Sequence, residues 1–134
     1  MNLLICSPQV DRDESELLQV TRHHNVQIVR TPEELISRLS QPPGDHGVQI
    51  VILLVSGMAE LEKFIEAREY LSNKALILIL PEEESVLVSM GFRLSARYMG
   101  FRGGAFEDVA AVIARIQTRI ARTQNIRDGS FKED

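Results

Sequence analysis

The stretch Val48-Gln49-Ile50-Val51-Ile52-Leu53-Leu54-Val55 (residues 48–55) decides the fold that we expect for this chain. All of its residues except Gln49 are aliphatic, and turn-forming residues flank it on both sides. An apolar run of strand length that does not alternate with polar residues is typical of a parallel strand covered by helices on both faces. The run is also far shorter than the ~20 residues that a membrane-spanning helix needs.

Similar but shorter apolar runs lie on either side of this central strand. They are predicted as strands over Leu3–Cys6, Val26–Val29, Ala75–Leu80 and Ala96–Phe101. Segments with helical spacing of apolar residues follow each strand, over 11–21, 32–39, 58–73, 82–94 and 106–122. Five strand-helix units in succession predict an α/β protein with a doubly wound parallel sheet and helices on both faces.

Length and composition indicate one domain with a real hydrophobic core. The chain has 134 residues, of which 44% are hydrophobic and 25% charged, and its mean hydropathy is -0.06. These values are those of a globular protein rather than of a disordered one. We expect a domain over residues 1–124 and a polar tail over 125–134.

The charge distribution argues against direct binding of nucleic acid. The net charge is -4, so the field of the whole chain repels phosphates. The first 90 residues carry 14 acidic and 7 basic side chains, whereas residues 91–134 carry 5 acidic and 8 basic ones. An acidic body with a basic end favours contact with a charged protein partner.

Nothing in the N-terminal stretch predicts export or membrane attachment. It lacks a basic region, and its apolar run is shorter than the core of a signal peptide. The single cysteine, Cys6, cannot form an internal disulfide. We therefore expect a cytoplasmic protein that does not bind membranes.

The order and length of the five units resemble the receiver domain of two-component response regulators, the CheY-like family. The resemblance covers nearly the whole chain and implies the flavodoxin-type strand order 2-1-3-4-5. It also implies a role in signal transduction, in a two-component-type or other bacterial regulatory pathway.

The residues that perform phosphotransfer in this family are absent. Where a receiver has acidic residues after its first strand, this chain has Cys6 and Ser7. The phosphoacceptor aspartate corresponds to Leu54, or to Val55 with a slip of one residue. The hydroxyl residue that ends the fourth strand corresponds to Leu80, and the lysine that ends the fifth corresponds to Phe101.

Leucine and phenylalanine supply neither the oxygen ligands that Mg²⁺ requires nor a nucleophile. The chain therefore resembles an atypical receiver, or pseudo-receiver, that works by protein–protein interaction. We expect no enzymatic activity, no cofactor and no metal. Pseudo-receivers of this kind occur as single proteins and as domains of larger ones.

An alternative is a small flavodoxin-like enzyme or ligand-binding subunit that uses the loops after the strands. Ser56 follows the central strand, and Arg102 and Gly103 follow the fifth. A serine, an arginine and helix-starting N–H groups could hold a small anion there. Ser56 could equally cap the next helix.

A charged surface is the best candidate for protein contact. Its acidic members are Glu82, Glu83 and Glu84, and its basic members are Arg93, Arg97, Arg115, Arg119 and Arg122. Arg115, Arg119 and Arg122 share one face of the last helix. By the resemblance, the face made by the fourth predicted helix, the fifth strand and the last helix could form a homodimer.

The three histidines do not suggest a metal site. His23 and His24 are adjacent at a helix end and point in different directions, and His46 lies in a loop. No acid or second cysteine completes a ligand set at a useful spacing.

Overall fold

In the computed structural model, residues 2–40, 47–104 and 106–129 are described, with side chains of the last helix described as far as residue 120. The five strands are β1 (Asn2–Cys6), β2 (Asn25–Val29), β3 (Ile50–Leu54), β4 (Ala75–Leu80) and β5 (Tyr98–Phe101). The helices are α1 (Arg12–Val20), α2 (Pro32–Ser40), α3 (Met58–Glu66), α4 (Arg68–Leu71), α5 (Ser85–Phe92) and α6 (Glu107–Gly129).

The strands form one parallel sheet in the order β2-β1-β3-β4-β5. This confirms the fold predicted from the sequence. Strand β3 lies at the centre, and every residue of Ile50–Leu54 is fully buried. The continuous apolar run is explained by this position, since both faces of the strand are covered.

Two hydrophobic cores lie on opposite faces of the sheet. Because side chains alternate along a strand, Ile50, Ile52 and Leu54 join the core beneath α1 and α6. Val51 and Leu53 join the other core, where Phe64 of α3 and Leu35 of α2 are buried. The sheet is thus the middle layer of three.

Hydrogen bonds of Thr31 and Glu34 cap the start of α2. Glu34 N–H donates to the Thr31 hydroxyl at 3.1 Å, and the Glu34 carboxylate accepts from Arg30 N–H at 2.6 Å. Pro32 is the first residue of the helix. Proline has no N–H, but an N–H at this position would have no acceptor within the helix in any case. This cap fixes the loop that follows β2.

Two helices differ from the sequence prediction. The helix predicted over 58–73 is broken at Ala67, which is buried, and the Arg68 guanidinium donates to Ile65 O at 3.2 Å beside the break. The last helix extends to Gly129, beyond the predicted domain end at 124, because no helix-breaking residue occurs before that glycine. Residues 130–134 of the predicted tail lie outside the described residues.

Within the described ranges, no helix has both the length and the apolar character that crossing a bilayer requires.

Replacing Ile52 by Ala tests the central position of β3. Ile52 is 0% exposed, so its truncation leaves a cavity and should lower the free energy of unfolding by about 2–5 kcal/mol. Val10→Ala is the control, because Val10 is 74% exposed. This substitution should change the free energy of unfolding by no more than about 0.5 kcal/mol. Chemical denaturation of both variants measures the difference, and equal losses would contradict the described packing.

Candidate functional site

Three loops meet at the carboxyl edge of the sheet, where α/β proteins commonly carry their sites. They follow β1, β3 and β5. Backbone pairing continues into these loops, since Val55 N–H donates to Ile79 O at 2.9 Å and Arg102 N–H donates to Leu80 O at 2.8 Å. The residues at this edge are therefore held by the sheet itself.

The side chain of Arg102 connects the three loops. Its Nε donates to the backbone oxygen of Val55 at 2.9 Å. Its Nη1 lies 3.1 Å from Oδ2 of Asp11 and 3.1 Å from Oδ2 of Asp13. Only 16% of the Arg102 side chain is exposed. A partly buried guanidinium thus joins the loop after β1 to the end of β3.

The two aspartates are engaged through their other oxygens as well. Asp11 caps α1, because its Oδ1 accepts from Glu14 N–H at 2.9 Å. Oδ1 of Asp13 accepts from Gly103 N–H at 3.1 Å. Gly103 has a φ of +83°, a conformation that favours glycine and that lets its N–H meet this carboxylate. All four carboxylate oxygens therefore accept a hydrogen bond from the chain.

Hydrogen bonding holds the pKa of Asp11 below its ordinary value of 3.8. The largest cause is the Glu14 N–H, and the charge and hydrogen bond of Arg102 act in the same direction. Burial opposes them. The native structure therefore favours the ionised carboxylate that Arg102 requires.

The groups predicted to hold an external anion instead bind carboxylates of the chain itself. Arg102 and Gly103 bind Asp13, as described above. The N–H and the hydroxyl of Ser56 both face Oε1 of Glu60, at 2.9 and 3.3 Å. Ser56 is not the cap of α3 either, since Gly57 occupies that position. An external anion would have to displace an intramolecular acid from each of these donors.

The positions that the sequence resemblance assigned to a phosphorylation pocket are largely buried, while Asp11 and Asp13 bring carboxylates to the same edge of the sheet, which the resemblance did not predict. Cys6, Leu54, Val55 and Leu80 are at most 1% exposed, and Phe101 is half-buried. Ser7 is fully buried, and its hydroxyl donates to Gln9 O at 3.0 Å.

The buried thiol of Cys6 is unreactive. Burial raises its pKa to about 12, and the charges of Glu60, Glu34 and Glu33 add to the effect. A thiol that stays protonated at neutral pH is neither a nucleophile nor a metal ligand. Among the described residues, no group of three or more histidine, cysteine or acidic side chains could hold a metal ion. His46 lies outside those residues.

The predicted contact residues lie at opposite ends of one face. Glu82, Glu83 and Glu84 are exposed between β4 and α5, at the carboxyl edge of the sheet. Arg93 and Arg97 are exposed near the amino edge, where α5 has ended and β5 begins. Arg115 and Arg119 are exposed on α6. Arg119 and Arg97 together line two surface concavities. The side chain of Arg122 lies outside the described residues.

Two exposed apolar side chains lie on α5, and the sequence analysis missed them. Val86 is 51% exposed and Phe92 is 69% exposed. Helix α5, of sequence SVLVSMGF, has apolar residues on nearly all sides, so it cannot bury all of them against the sheet. The two side chains are six residues apart and therefore leave the helix in directions about 120° apart.

The Asp11→Asn variant tests, through its pH dependence, the stability that the ionised Asp11 carboxylate gains from the Glu14 N–H and from Arg102. Asparagine keeps the cap of α1 but loses the charge. Since the folded pKa of Asp11 is depressed, its contribution to stability is present above pH 3.8 and is lost as the pH falls further. The variant should therefore lose less unfolding free energy than wild type between about pH 5 and pH 2, as measured by denaturation.

Glu62→Gln, which removes the same charge from an exposed position on α3, is the control for this experiment. If Asp11→Asn changed the loss of unfolding free energy at acid pH no more than Glu62→Gln did, the contact with Arg102 would carry no measurable energy.

Solved structures with the same fold include several receivers. A response regulator CheY-like protein from Mesorhizobium loti is 20% identical, with a TM-score of 0.66, and the match covers 86% of this chain and 97% of that one. The signal receiver domain of an HD domain-containing protein from Pseudomonas fluorescens is 10% identical, with a TM-score of 0.71 and coverages of 88% and 94%.

A candidate pilus assembly-related protein from Burkholderia pseudomallei also has this fold. It is 14% identical, with a TM-score of 0.67 and coverages of 87% and 88%. No protein-family model and no curated protein matches the chain. At these identities the likeness concerns the fold, which is the five-stranded CheY-like, flavodoxin-type fold with strand order 2-1-3-4-5.

Proposed function

We propose that this chain is a receiver-like signalling module that acts through protein–protein contact without being phosphorylated. The observation that carries the proposal is the Arg102 bridge to Asp11 and Asp13. Solved receivers with the same fold support a signalling role. The module is a non-enzymatic pseudo-receiver.

The Arg102 bridge stands in the way of the metal chemistry that phosphotransfer needs. Mg²⁺ binds through several oxygen ligands and dehydrates reluctantly. Here the oxygens of Asp11 and Asp13 already accept bonds from Arg102, Glu14 N–H and Gly103 N–H. A metal ion would have to displace a guanidinium that is tethered to the chain.

The phosphoryl acceptor is missing as well. The two residues at the acceptor position, Leu54 and Val55, have fully buried hydrocarbon side chains. The Arg102 guanidinium nevertheless reaches this position, but it binds the backbone oxygen of Val55. The positive charge that would otherwise stabilise a phosphoryl group is thus used to hold the loops together.

The face of α5, β5 and α6 is the proposed contact surface, and a second copy of the chain is its proposed partner. Exposed Phe92 supplies an aromatic anchor of the kind enriched in interfaces. The glutamates after β4 and the arginines near the amino edge lie at opposite ends of the face. A two-fold axis that sets the two sheets antiparallel would bring the acidic end of each copy to the basic end of the other.

A cytoplasmic regulatory pathway is the proposed setting, with no cofactor and no direct contact with nucleic acid or membrane. The Burkholderia protein of the same fold makes pilus assembly one such setting to examine.

Incubation with acetyl phosphate and Mg²⁺ tests the absence of phosphorylation. Because Leu54 and Val55 at the acceptor position are hydrocarbon and the Asp11 and Asp13 carboxylates are held by Arg102, intact-mass spectrometry should show no gain of a phosphoryl group. Beryllofluoride with Mg²⁺ should cause no change in thermal unfolding. A phosphorylatable receiver treated in parallel verifies the reagents. A stoichiometric phosphoryl adduct would refute the proposal.

Sedimentation of two variants tests the homodimer. Wild type should sediment as a concentration-dependent dimer, and charge reversal by Arg115→Glu with Arg119→Glu should shift it towards monomer. Phe92→Ser should act in the same direction, by about tenfold or more in the dissociation constant. Val10→Ser, which changes an exposed apolar residue outside the face, is the control. A wild type that stays monomeric at millimolar concentration would exclude this dimer.

A further inference from the structure

A concave surface lies at the amino edge of the sheet, at the opposite end from Arg102. It is lined by Arg97, which precedes β5, and by Val112, Arg115, Ile116 and Arg119 of α6. We call these five residues the arginine groove. Its volume is about 310 Å³.

A second concavity of about 420 Å³ lies beside the groove. Arg97, Ile116 and Arg119 line both spaces. The far wall of the second space comes from the segments that enter β3 and β4, including Gln49 and Asn73. We call these two neighbouring concavities, between α6 and the amino edge of the sheet, the depression.

The charged side chains that the structure describes in the lining of the depression are all basic. Among the described residues no acidic side chain lines either concavity, although the chain has 19 acidic and 15 basic residues. Arg115 and Arg119 stand one helical turn apart, at a spacing where like charges repel each other. In the part of the chain that the structure describes, no salt bridge joins Arg97 or Arg115 to an acid. A bound anion would relieve this repulsion.

The acid two helical turns before Arg115, Asp108, does not line the arginine groove. It acts on Tyr98 instead: burial raises the pKa of the tyrosine, and the charge and hydrogen bonding of Asp108 add to the effect.

The floor of the depression is apolar. Val112 and Ile116 are buried between α6 and the sheet, and Ile120 is half-buried beside them. At the other wall the Lys74 ammonium donates to Val48 O at 2.7 Å, so it is a structural contact of the wall. An apolar floor with arginines along its rim suits a ligand that carries both aliphatic groups and carboxylates.

We propose that the arginine groove binds an acidic peptide segment of a partner protein, with carboxylates on the arginines and an aliphatic side chain on the floor. The inference rests on the interaction role proposed above and names the chemistry of one partner. Because Arg97, Arg115 and Arg119 also belong to the basic end of the proposed dimer face, the peptide and a second copy of the chain would compete for them. Carboxylates fit because an arginine fork binds them with two parallel hydrogen bonds.

Two other classes of partner fit less well. Among the described lining residues nucleic acid would find no aromatic side chain for base stacking, and the net charge of -4 opposes it. A lipid surface would need exposed apolar groups to insert. Among the residues described, the exposed large apolar side chains all lie outside the groove, at Val10, Met58, Tyr70, Val86 and Phe92.

Fluorescence polarisation tests the proposal with a labelled peptide of glutamates that contains two leucines, titrated with the full chain. We expect saturable binding that weakens as NaCl is raised from 50 to 500 mM, since salt screens exposed ion pairs. Arg97→Ala should weaken binding about fivefold or more. Arg22→Ala removes the same charge from an exposed position elsewhere and should leave binding unchanged.

Asn73→Glu places an acid in the far wall and should also weaken binding, whereas Asn73→Gln should not. Asn73 is outside the face of α5, β5 and α6, so its variants should sediment as wild type does. Peptide binding can therefore fail while the proposed dimer stands, and the dimer can fail while the peptide binds.

No saturable binding up to about 1 mM peptide would overturn the proposal. Binding that Arg97→Ala and Arg22→Ala weaken equally would also overturn it, because the arginine groove would then not be the site. Tighter binding of single-stranded DNA or of anionic vesicles than of the peptide would assign the groove to those ligands instead. Thermal unfolding of each variant shows that it remains folded.

Discussion

The contact of one guanidinium with two carboxylates organises the end of the sheet where this fold usually carries its chemistry. Arg102 binds the backbone at the end of β3 and the aspartates after β1, and its neighbour Gly103 donates to one of those aspartates. A guanidinium suits this position because its planar set of donors can serve several acceptors at once. A divalent cation in the same place would come and go with its concentration, whereas the side chain is permanently present.

A contact that is always present does not switch with the concentration of a ligand. A receiver that exchanges a metal ion and a phosphoryl group has two states, whose populations depend on those ligands. Here the loops are joined by groups of the chain itself, and Cys6, Leu54, Val55 and Leu80 close the space behind them. In the function proposed above, regulation comes from what binds the outer surface. The surface features available for it lie on α5, β5 and α6, where apolar side chains and opposite charges are exposed.

The sequence predicted the elements well because their signals are local. The buried run at residues 48–55 identified the central strand, and the helical spacing over 32–39 identified α2. The break at Ala67 was missed, since it depends on how α3 and α4 pack on the sheet rather than on a breaking residue. The exposure of Phe92 was missed for a related reason: apolarity alone does not say which side of a helix the sheet covers.

At the candidate site, what the local sequence predicts and what depends on tertiary contacts are separated more clearly. By itself the sequence determined that no acceptor oxygen stands at Leu54 or Val55, because strand ends can be placed by counting from local patterns. Only the tertiary structure decided what Arg102 does. Its partners Asp11 and Asp13 lie 91 and 89 residues away in the chain, and no periodicity records a contact of that separation. Such pairs form because parallel strands bring all their carboxyl ends to one edge, so that residues distant in sequence become neighbours once the sheet has assembled.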